Sequence, residues 1–214
     1  MTILFDLDGT LIDSTEAILE SFAAAYGAFG EPVPDEAQIR RRIGEPLTKM
    51  FAGMGVRGGT VAEHVSAYKE HYRRVSRQKT VLLPGAREAV ERAARFARLG
   101  VVTTKTGKYS IELLEHLELM RFFEVLIGSE DVSRHKPHPE PVLKALEAMG
   151  RSRRGCWMVG DTPMDVEAAR AAGVAPFAVT CGYADEKSLR KICENVAPNA
   201  LLAVVEIEKR KSLL

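Results

Sequence analysis

Short apolar runs alternate with longer amphipathic stretches over the second part of the chain. From residue 86 onward, apolar positions at helical spacing predict helices at 86–97, 110–119, 141–149, 163–172, 185–193 and 199–209. Brief β-branched or apolar runs between them predict strands at 100–104, 124–127, 156–159 and 176–180, and a further strand at 2–5 begins the chain. Strands that alternate with helices of this length indicate a parallel sheet covered by helices on both faces.

The stretch between the first strand and Pro84 has only helical periodicity. Apolar side chains recur from Ile18 to Phe29, and capping or stop signals divide the remainder into helices at 35–43, 46–53 and 60–79, the last beginning at a Thr60/Glu63 capping box. No strand is expected between residues 15 and 82. A helical insertion this long, with its own apolar faces, predicts a small separate domain.

The predicted fold class is therefore α/β, a Rossmann-like, doubly wound parallel sheet with a small all-helical cap domain inserted after the first strand. We expect residues 1–14 and 83–214 to form the α/β core domain and residues 15–82 to form the cap. The insertion leaves and rejoins the core close to Asp8, which makes it a natural lid over that residue.

Composition narrows the classes of partner. The chain has 214 residues, 46% of them hydrophobic, and a net charge of +1, so nothing favours nucleic acid or a membrane surface as a partner. No signal peptide or membrane-spanning segment is evident. The three cysteines, Cys156, Cys181 and Cys193, suggest neither a zinc site nor a disulfide framework. We expect a cytoplasmic protein that is a monomer or a homodimer.

Two carboxylates, Asp6 and Asp8, follow the first strand directly, and Gly9 comes next. Side chains two residues apart along a strand point the same way, so both are expected to emerge on the rim of the sheet. Carboxylates that close repel each other unless one is protonated or a cation lies between them, and Mg2+ suits oxygen ligands. A solvated turn after the strand is the simpler alternative for an isolated Asp-x-Asp-Gly.

Other polar residues lie at the ends of later strands. Thr103-Thr104-Lys105 ends the second strand, Lys136-Pro137 follows the third, and Gly160-Asp161 ends the fourth, with Asp165 near the start of the next helix. In an open parallel sheet, ligands bind at the carboxyl ends of the strands. A single threonine, lysine or aspartate at such a position is commonly a cap, a turn or a solvated side chain, but together they indicate one site.

These motifs, Asp6-Leu7-Asp8-Gly9-Thr10, Thr103, Lys136-Pro137 and Gly160-Asp161 with Asp165, occur in the order found in the haloacid dehalogenase superfamily, which the chain resembles. Within it, the chain is similar to phosphoglycolate phosphatases that carry a helical cap of the C1 type. The resemblance covers nearly the whole chain. It implies a Mg2+-dependent phosphatase that hydrolyses a small-molecule phosphomonoester through an aspartyl-phosphate.

The resemblance also implies roles for the catalytic residues. Asp6 would be the nucleophile, and Asp8 the acid that protonates the leaving oxygen and then the base that activates water. Thr103 would hold phosphoryl oxygens and Lys136 would neutralise charge on the phosphoryl group and Asp6. The metal would be held by Asp6, Asp161, Asp165 and the backbone carbonyl of Asp8.

Substrate contacts are expected from four residues, Gly9, Thr104, Arg41 and Glu45. The amide of Thr104 would hold the phosphoryl group, whereas Arg41 and Glu45 lie on the insertion, where a specificity loop is expected. For Arg41 the simpler alternative is a solvated helix face, and for the turn at Glu45 a plain connection between helices.

Several functions stay open at this point. A phosphomutase of the β-phosphoglucomutase type keeps both carboxylates, and a pyrophosphatase or nucleotidase differs only in the leaving group. A receiver-type signalling domain also uses Asp, Mg2+, Thr and Lys, but its phosphorylated Asp follows an interior strand of the chain. Dehalogenases of the superfamily do not need Asp8, so this carboxylate favours phosphate chemistry.

Overall fold

A computed structural model describes residues 1–210 as a six-stranded parallel sheet covered by helices. The strands of this sheet are β1 (Thr2–Phe5), β4 (Arg98–Val102), β5 (Phe123–Ile127), β6 (Cys156–Gly160), β7 (Ala175–Val179) and β8 (Val196–Ala197). Their order across the sheet is β5-β4-β1-β6-β7-β8. Strand β1 is completely buried at the centre, between β4 and β6. The predicted Rossmann-like α/β fold class is confirmed.

Within residues 1–210, ten α-helices connect or flank these strands. They are α1 (Thr15–Ala28), α2 (Glu36–Arg40), α3 (Leu47–Gly53), α4 (Val61–Val75), α5 (Ala86–Ala93), α6 (Gly107–His116), α7 (Glu140–Ala148), α8 (Pro163–Ala171), α9 (Glu186–Ile192) and α10 (Ala200–Arg210). Short 3-10 turns lie at Met120–Phe122 and Ser129–Asp131.

Alternate residues of β1 explain why helices cover both faces of the sheet. Ile3 and Phe5 pack into a core cluster shared with α5 and α10, whereas Leu4 packs into a second cluster with α7 and α8. Because successive side chains of a strand point to opposite faces, a strand that is apolar at every position needs a helical layer on each side.

Helices α1 to α4 form the helical insertion, and α1 packs along α4. Aromatic side chains fill the contact: the Phe22 ring lies 4.7 Å from Phe51 and 5.0 Å from Tyr68, measured between centroids. Phe22 and Phe51 have no solvent exposure. These aromatic residues occupy apolar positions at helical spacing in the sequence, and they belong to the same buried cluster as Ile3 and Phe5 of the sheet.

The expectation of no strand between residues 15 and 82 is wrong. Strand β3 (Val81–Leu82) pairs antiparallel with β2 (Ile12–Asp13), so a two-stranded ribbon closes the ends of the insertion. The Thr60 side chain makes no capping hydrogen bond, contrary to the predicted capping box; its hydroxyl donates to the carbonyl of Arg57 instead. Two-residue strands escape a periodicity argument, because two positions contain no period.

Strand β8 was also missed, and for the same reason, since it comprises only Val196 and Ala197. The predicted last helix is present as α10. The three cysteines are free thiols. Within residues 1–210 no helix combines the length and the apolar character that a membrane span requires.

Candidate active site

Three carboxylates meet at the carboxyl ends of β1 and β6. The two strands are parallel neighbours in which Phe5 lies opposite Val159, so Asp6 and Asp161 emerge side by side. Asp165 comes from the first turn of α8, directly after β6. One oxygen from each of these carboxylates lies within 4.8 Å of the others, and all three residues are buried. Adjacent parallel strands thus assemble the cluster from two distant parts of the sequence.

Lys136 lies between two of these carboxylates. Its Nζ is 2.8 Å from Asp6 Oδ1 and 2.6 Å from Asp165 Oδ1, and it donates a further bond to the Val102 carbonyl oxygen at 3.1 Å. The lysine is only 3% exposed. Burial alone would lower the pKa of Lys136, but the Asp165 and Asp6 carboxylates together raise that pKa above its usual value. The ammonium group therefore stays charged beside Asp6.

The Asp165 carboxylate is held by the start of its own helix. The backbone N–H and the hydroxyl of Thr162 both donate to Asp165 Oδ2, over 3.0 and 2.7 Å. Pro163 occupies the first turn, where its missing N–H costs no helical hydrogen bond. The capping arrangement fixes the direction in which Asp165 presents its other oxygen to Lys136.

The Asp161 carboxylate is fixed from the opposite side. Thr10 donates its hydroxyl to Oδ1 at 3.0 Å, and the backbone N–H of Tyr183 donates to Oδ2 at 2.8 Å. Gly9 and Gly182 approach this carboxylate so closely that a Cβ at either residue would lie 2.3 or 2.1 Å from Asp161 Oδ2. Gly9 also has φ +80°, a conformation that favours glycine. These contacts explain why glycine follows Asp8.

Burial makes ionisation of the cluster costly. It raises the pKa of Asp6 to about 7, against the opposing effect of Lys136. Burial and the Asp6 charge raise the pKa of Asp161 well above its ordinary range. A buried group of all-oxygen donors that resists carrying its full negative charge fits a hard divalent cation such as Mg2+, which would relieve the repulsion. Asp6, Asp161 and Asp165 are the residues that could hold it.

Asp8 has different neighbours from Asp6. Its Oδ1 accepts a short hydrogen bond from the Ser14 hydroxyl, and its Oδ2 lies 3.1 Å from Lys105 Nζ. The Asp8 carboxylate is therefore not part of the three-carboxylate group, although the two aspartates are two residues apart. Strand β1 ends at Phe5, and Asp8 already belongs to the turn that leads into β2.

Thr103 and Thr104 lie at the end of β4, next to β1. Thr103 is 5% exposed, and its Oγ1 accepts a hydrogen bond from the backbone N–H of Lys105 at 3.1 Å. Thr104 instead donates its hydroxyl to the Gly44 carbonyl oxygen at 2.8 Å. Thr104, whose backbone amide is expected to hold the phosphoryl group, therefore contacts the helical insertion through its side chain.

A cavity of about 290 Å³ opens beside Asp8, between the insertion and the end of the sheet. Its wall includes the mainly apolar and aromatic residues Ile18, Leu47, Val65, Tyr68, Tyr72 and Tyr109. Glu45 lines this cavity and pairs with Arg42 at 3.0 Å. Arg41 is exposed and lines a separate groove on the insertion, whereas Glu45 lines both this groove and the cavity. The structure thus brings Glu45, but not Arg41, to the cavity beside Asp8.

Two residues at this cavity were given no role by the sequence. Lys105 is only 10% exposed in its side chain and contacts Asp8, and Tyr72 contacts Lys105 from the insertion. A single lysine after a strand is usually solvated, so the presence of a lysine here did not by itself indicate a functional residue. The signal that could have identified it is position, since it lies only two residues after Thr103 at a strand end.

The fold and this site define a class of protein. The buried aspartates and the lysine lie at the carboxyl ends of parallel strands, where open α/β sheets bind their ligands, and an aspartate there can act as a covalent nucleophile. The model of the family described as haloacid dehalogenase-like hydrolase matches residues 3–179, and the chain belongs to this family. It is therefore a hydrolase of that family.

Similar proteins agree with this assignment. Pyrophosphatase PpaX from Halalkalibacterium halodurans is 33% identical over 184 residues, 86% of this chain and 84% of the relative. Phosphoglycolate phosphatase from Escherichia coli O157:H7 is 31% identical over 205 residues, 85% of this chain and 81% of the relative. A haloacid dehalogenase-like hydrolase, SP0104 from Streptococcus pneumoniae, superposes with a TM-score of 0.87 at 28% identity, covering 96% of this chain and 97% of that one.

Proposed function

We propose that the protein is a Mg2+-dependent phosphatase that hydrolyses a small-molecule phosphomonoester through an aspartyl-phosphate on Asp6. The observation that carries the proposal is the position of Lys136, which contacts Asp6 and Asp165 together in a buried site that also contains Asp161. Phosphoryl transfer depends mainly on positioning and on stabilising negative charge, and this arrangement supports both.

The metal would be held by Asp6, Asp161 and Asp165, whose oxygens already lie together. When bound, Mg2+ would neutralise charge on the transferred group. The carboxylate of Asp8 would take no part in holding it, because Ser14 and Lys105 occupy its two oxygens. A role for the Asp8 backbone carbonyl as a ligand stays a prediction.

The protein's own residues perform the bond changes in two steps. In the first, a carboxylate oxygen of Asp6 bonds to phosphorus while the bond from phosphorus to the leaving oxygen breaks, and Asp8 gives its proton to that oxygen. In the second, water attacks the phosphorus of the aspartyl-phosphate, its proton passes to Asp8, and Asp6 leaves as a carboxylate. Thr103 and Lys136 hold phosphoryl oxygens throughout.

The helical insertion would act as a cap domain over this site, comprising residues 15–82, with residues 1–14 and 83–214 as the core; residues 211–214 lie outside the part of the chain that the structure describes. Contacts of the insertion with the core support this, since Thr104 donates to Gly44 and the hydroxyls of Thr15 and Tyr183 lie 3.0 Å apart. The cavity beside Asp8 would receive the leaving group. Its wall comes largely from the insertion, so the insertion would choose the substrate.

Phosphoglycolate and pyrophosphate are the first substrates to test, because relatives are named for these activities. Lys69 in the cavity wall favours a leaving group that carries negative charge. Pyrophosphate hydrolysis is the second candidate function on that ground, since its leaving group is itself an anion.

Phosphate release across a panel of phosphomonoesters and pyrophosphate, with Mg2+ present, tests the proposal. We expect each phosphomonoester to give phosphate and the free alcohol in equal amounts, and pyrophosphate to give two phosphates. Transfer of the phosphoryl group to a sugar without release of phosphate would identify a mutase instead. Absence of any turnover over the whole panel would contradict the proposed function.

A further inference from the structure

Lys105 joins the end of strand β4 to the helical insertion and to Asp8 at the same time. Its Nζ donates to the Tyr72 hydroxyl at 2.9 Å and lies 3.1 Å from Asp8 Oδ2. The ammonium group also lies 4.4 Å from the centre of the Tyr72 ring, within range of a cation–π interaction. One core residue thus contacts both the proposed acid and a helix of the insertion.

Tyr72 is held rigidly within the insertion. It lies on α4, is 2% exposed, and its ring stacks on Tyr68 at 5.7 Å with an angle of 11° between the planes. Tyr68 in turn packs on Phe22 of α1. A displacement of α4 relative to the sheet therefore has to carry the Tyr72 hydroxyl with it, away from Lys105.

The Asp8 carboxylate is held at both oxygens. The Ser14 hydroxyl donates a hydrogen bond to Oδ1, and the Lys105 ammonium group contacts the other oxygen, Oδ2. Ser14 alone would leave the carboxylate free to turn about the bond between Cβ and Cγ, because terminal torsions of this kind are broad. Fixing the plane of the carboxylate requires the second contact, and Lys105 supplies it.

We propose that Lys105 is a positioning residue that couples docking of the helical insertion to the orientation of Asp8. With Tyr72 in place, the ammonium group is held on two sides and keeps Asp8 directed at the leaving oxygen. With α4 displaced, Lys105 loses the Tyr72 hydroxyl and the ring face, and Asp8 loses its fixed partner. The acid is thus aligned only when the cavity beside it is covered. The inference rests on the proposed phosphatase function.

A different role for Lys105 leads to a different result. A lysine in the cavity wall could simply bind an anionic leaving group. In that case its removal would impair substrates whose leaving group is charged and spare the neutral ones. A residue that aligns an acid affects substrates according to the basicity of the leaving oxygen instead, because good leaving groups need little protonation.

The experiment compares Lys105→Met and Tyr72→Phe with wild type on four phosphomonoesters. Two have basic alcohol leaving groups, one neutral (propyl phosphate) and one anionic (phosphoglycolate). The other two are aryl phosphates, again one neutral (phenyl phosphate) and one anionic (4-carboxyphenyl phosphate). Lys187→Met removes an exposed lysine on α9 and serves as the control.

We expect Lys105→Met to lower kcat about 10- to 100-fold for both alkyl phosphates, the range that misplacement of a catalytic group causes. The loss of kcat should be smaller for both aryl phosphates, and KM should change less than kcat for every substrate. Tyr72→Phe should show the same order of substrates with a smaller loss, because Lys105 still contacts Asp8. Lys105→Arg should restore part of the alkyl activity.

Losses that follow the charge of the leaving group, or that are equal for all four substrates, would overturn the proposal. Hydrogen exchange of the backbone amides gives a second readout that needs no activity. Both variants should exchange faster than wild type in the last turn of α4 and around Gly44, and unchanged exchange in both would also overturn it. If wild type itself releases no phosphate, the proposed function fails, while the exchange comparison still decides whether Lys105 holds the insertion.

Discussion

The Thr104 hydroxyl donates a hydrogen bond to the Gly44 carbonyl oxygen over 2.8 Å, so the end of β4 is joined directly to the loop that precedes α3. Gly44 has φ +105°, and a Cβ there would lie 3.1 Å from Met164 Cε and 3.3 Å from Thr162 Cγ2. The loop is therefore seated closely against the core. Its neighbour Glu45 is carried to the cavity wall by this contact.

Glu45→Gln is expected to change which phosphoester is preferred, because it removes a charge from the cavity wall and releases Arg42 from its ion pair. Arg41→Gln, on the separate groove, should change the preference less. Thr103→Ala should impair all substrates alike. The measurement is kcat/KM over one substrate panel for the three variants. A common factor for every substrate in Glu45→Gln would contradict a role in specificity.

Asp6→Asn and Asp8→Asn should fail in different ways. Asp6→Asn should abolish covalent phosphorylation, because an amide is not a competent nucleophile. Asp8→Asn keeps the nucleophile but loses the acid and base, which costs about 10²–10⁴-fold in rate and less for aryl than for alkyl esters. Rapid quenching with labelled substrate measures the phosphoenzyme, and equal losses for aryl and alkyl esters would argue against the role of Asp8.

Activity should disappear in a chelator and return with Mg2+, since Asp6, Asp161 and Asp165 are buried together. Ca2+ should inhibit, because it favours larger and looser coordination. Calorimetric titration with Mg2+ should show binding in wild type and much weaker binding in Asp161→Asn. Full turnover in a chelator would refute the metal requirement.

Gly182→Ala should weaken both Mg2+ binding and activity. A Cβ at this residue would lie 2.1 Å from Asp161 Oδ2, and that carboxylate cannot move freely because Thr10 and the Tyr183 amide hold it. Gly59→Ala, whose Cβ would meet nothing within 4 Å, is the matched control and should behave as wild type. Normal metal affinity in Gly182→Ala would show that the Asp161 carboxylate can move to accommodate the added Cβ, contrary to what its contacts indicate.

The stability of the metal-free protein should depend on pH through Asp6. The pKa of this carboxyl is about 7 in the folded protein, against 3.8 for the ordinary group. Between these two pH values the folded state binds one proton more than the unfolded state. The contribution of Asp6 to the free energy of unfolding therefore falls as pH rises from about 4 to about 7, and then stays level. The free energy of unfolding should fall by at most about 1.4 kcal/mol per pH unit through this one group.

Urea unfolding in a chelator measures this dependence. The difference in free energy of unfolding between wild type and Asp6→Asn should decrease across that pH range, because asparagine does not titrate. A difference that is constant with pH, or that increases, would mean that Asp6 is ionised in the folded protein well below pH 7. Saturating Mg2+ should remove most of the trend, since the ion favours the carboxylate.

The sequence was sufficient for the parallel sheet and for the residues at its strand ends. Buried strands such as β6 are apolar throughout, and the ends of parallel neighbours lie together, so Asp6 and Asp161 meet because β1 and β6 are adjacent. Lys136 lies in the loop after the edge strand β5, and its contact with Asp6 depends on the path of that loop. The helices of the insertion were predicted for a different reason, because their apolar positions recur at helical spacing.

The rest depended on contacts between segments that are distant in the chain. The end of β1 at Phe5 was predicted, but the surroundings of Asp8 were not, because they depend on its contacts with Ser14 and Lys105. The partnership of Lys105 with Tyr72 joins the end of β4 to α4, and no local pattern encodes such a pair. Nor does a run of arginines show which member faces a cavity, so the sequence could not exclude Arg41 from the wall of the cavity beside Asp8.

The ribbon of β2 and β3 pairs Ile12 with Leu82 and Asp13 with Val81, so the chain leaves the sheet and returns to it at hydrogen-bonded neighbours. A segment with adjacent ends can be exchanged for one of different length or shape while the flanking chain keeps its path. Evolution could therefore change the choice of substrate by replacing this segment as a unit, and an engineer could graft the corresponding segment of a relative at the same two residue pairs.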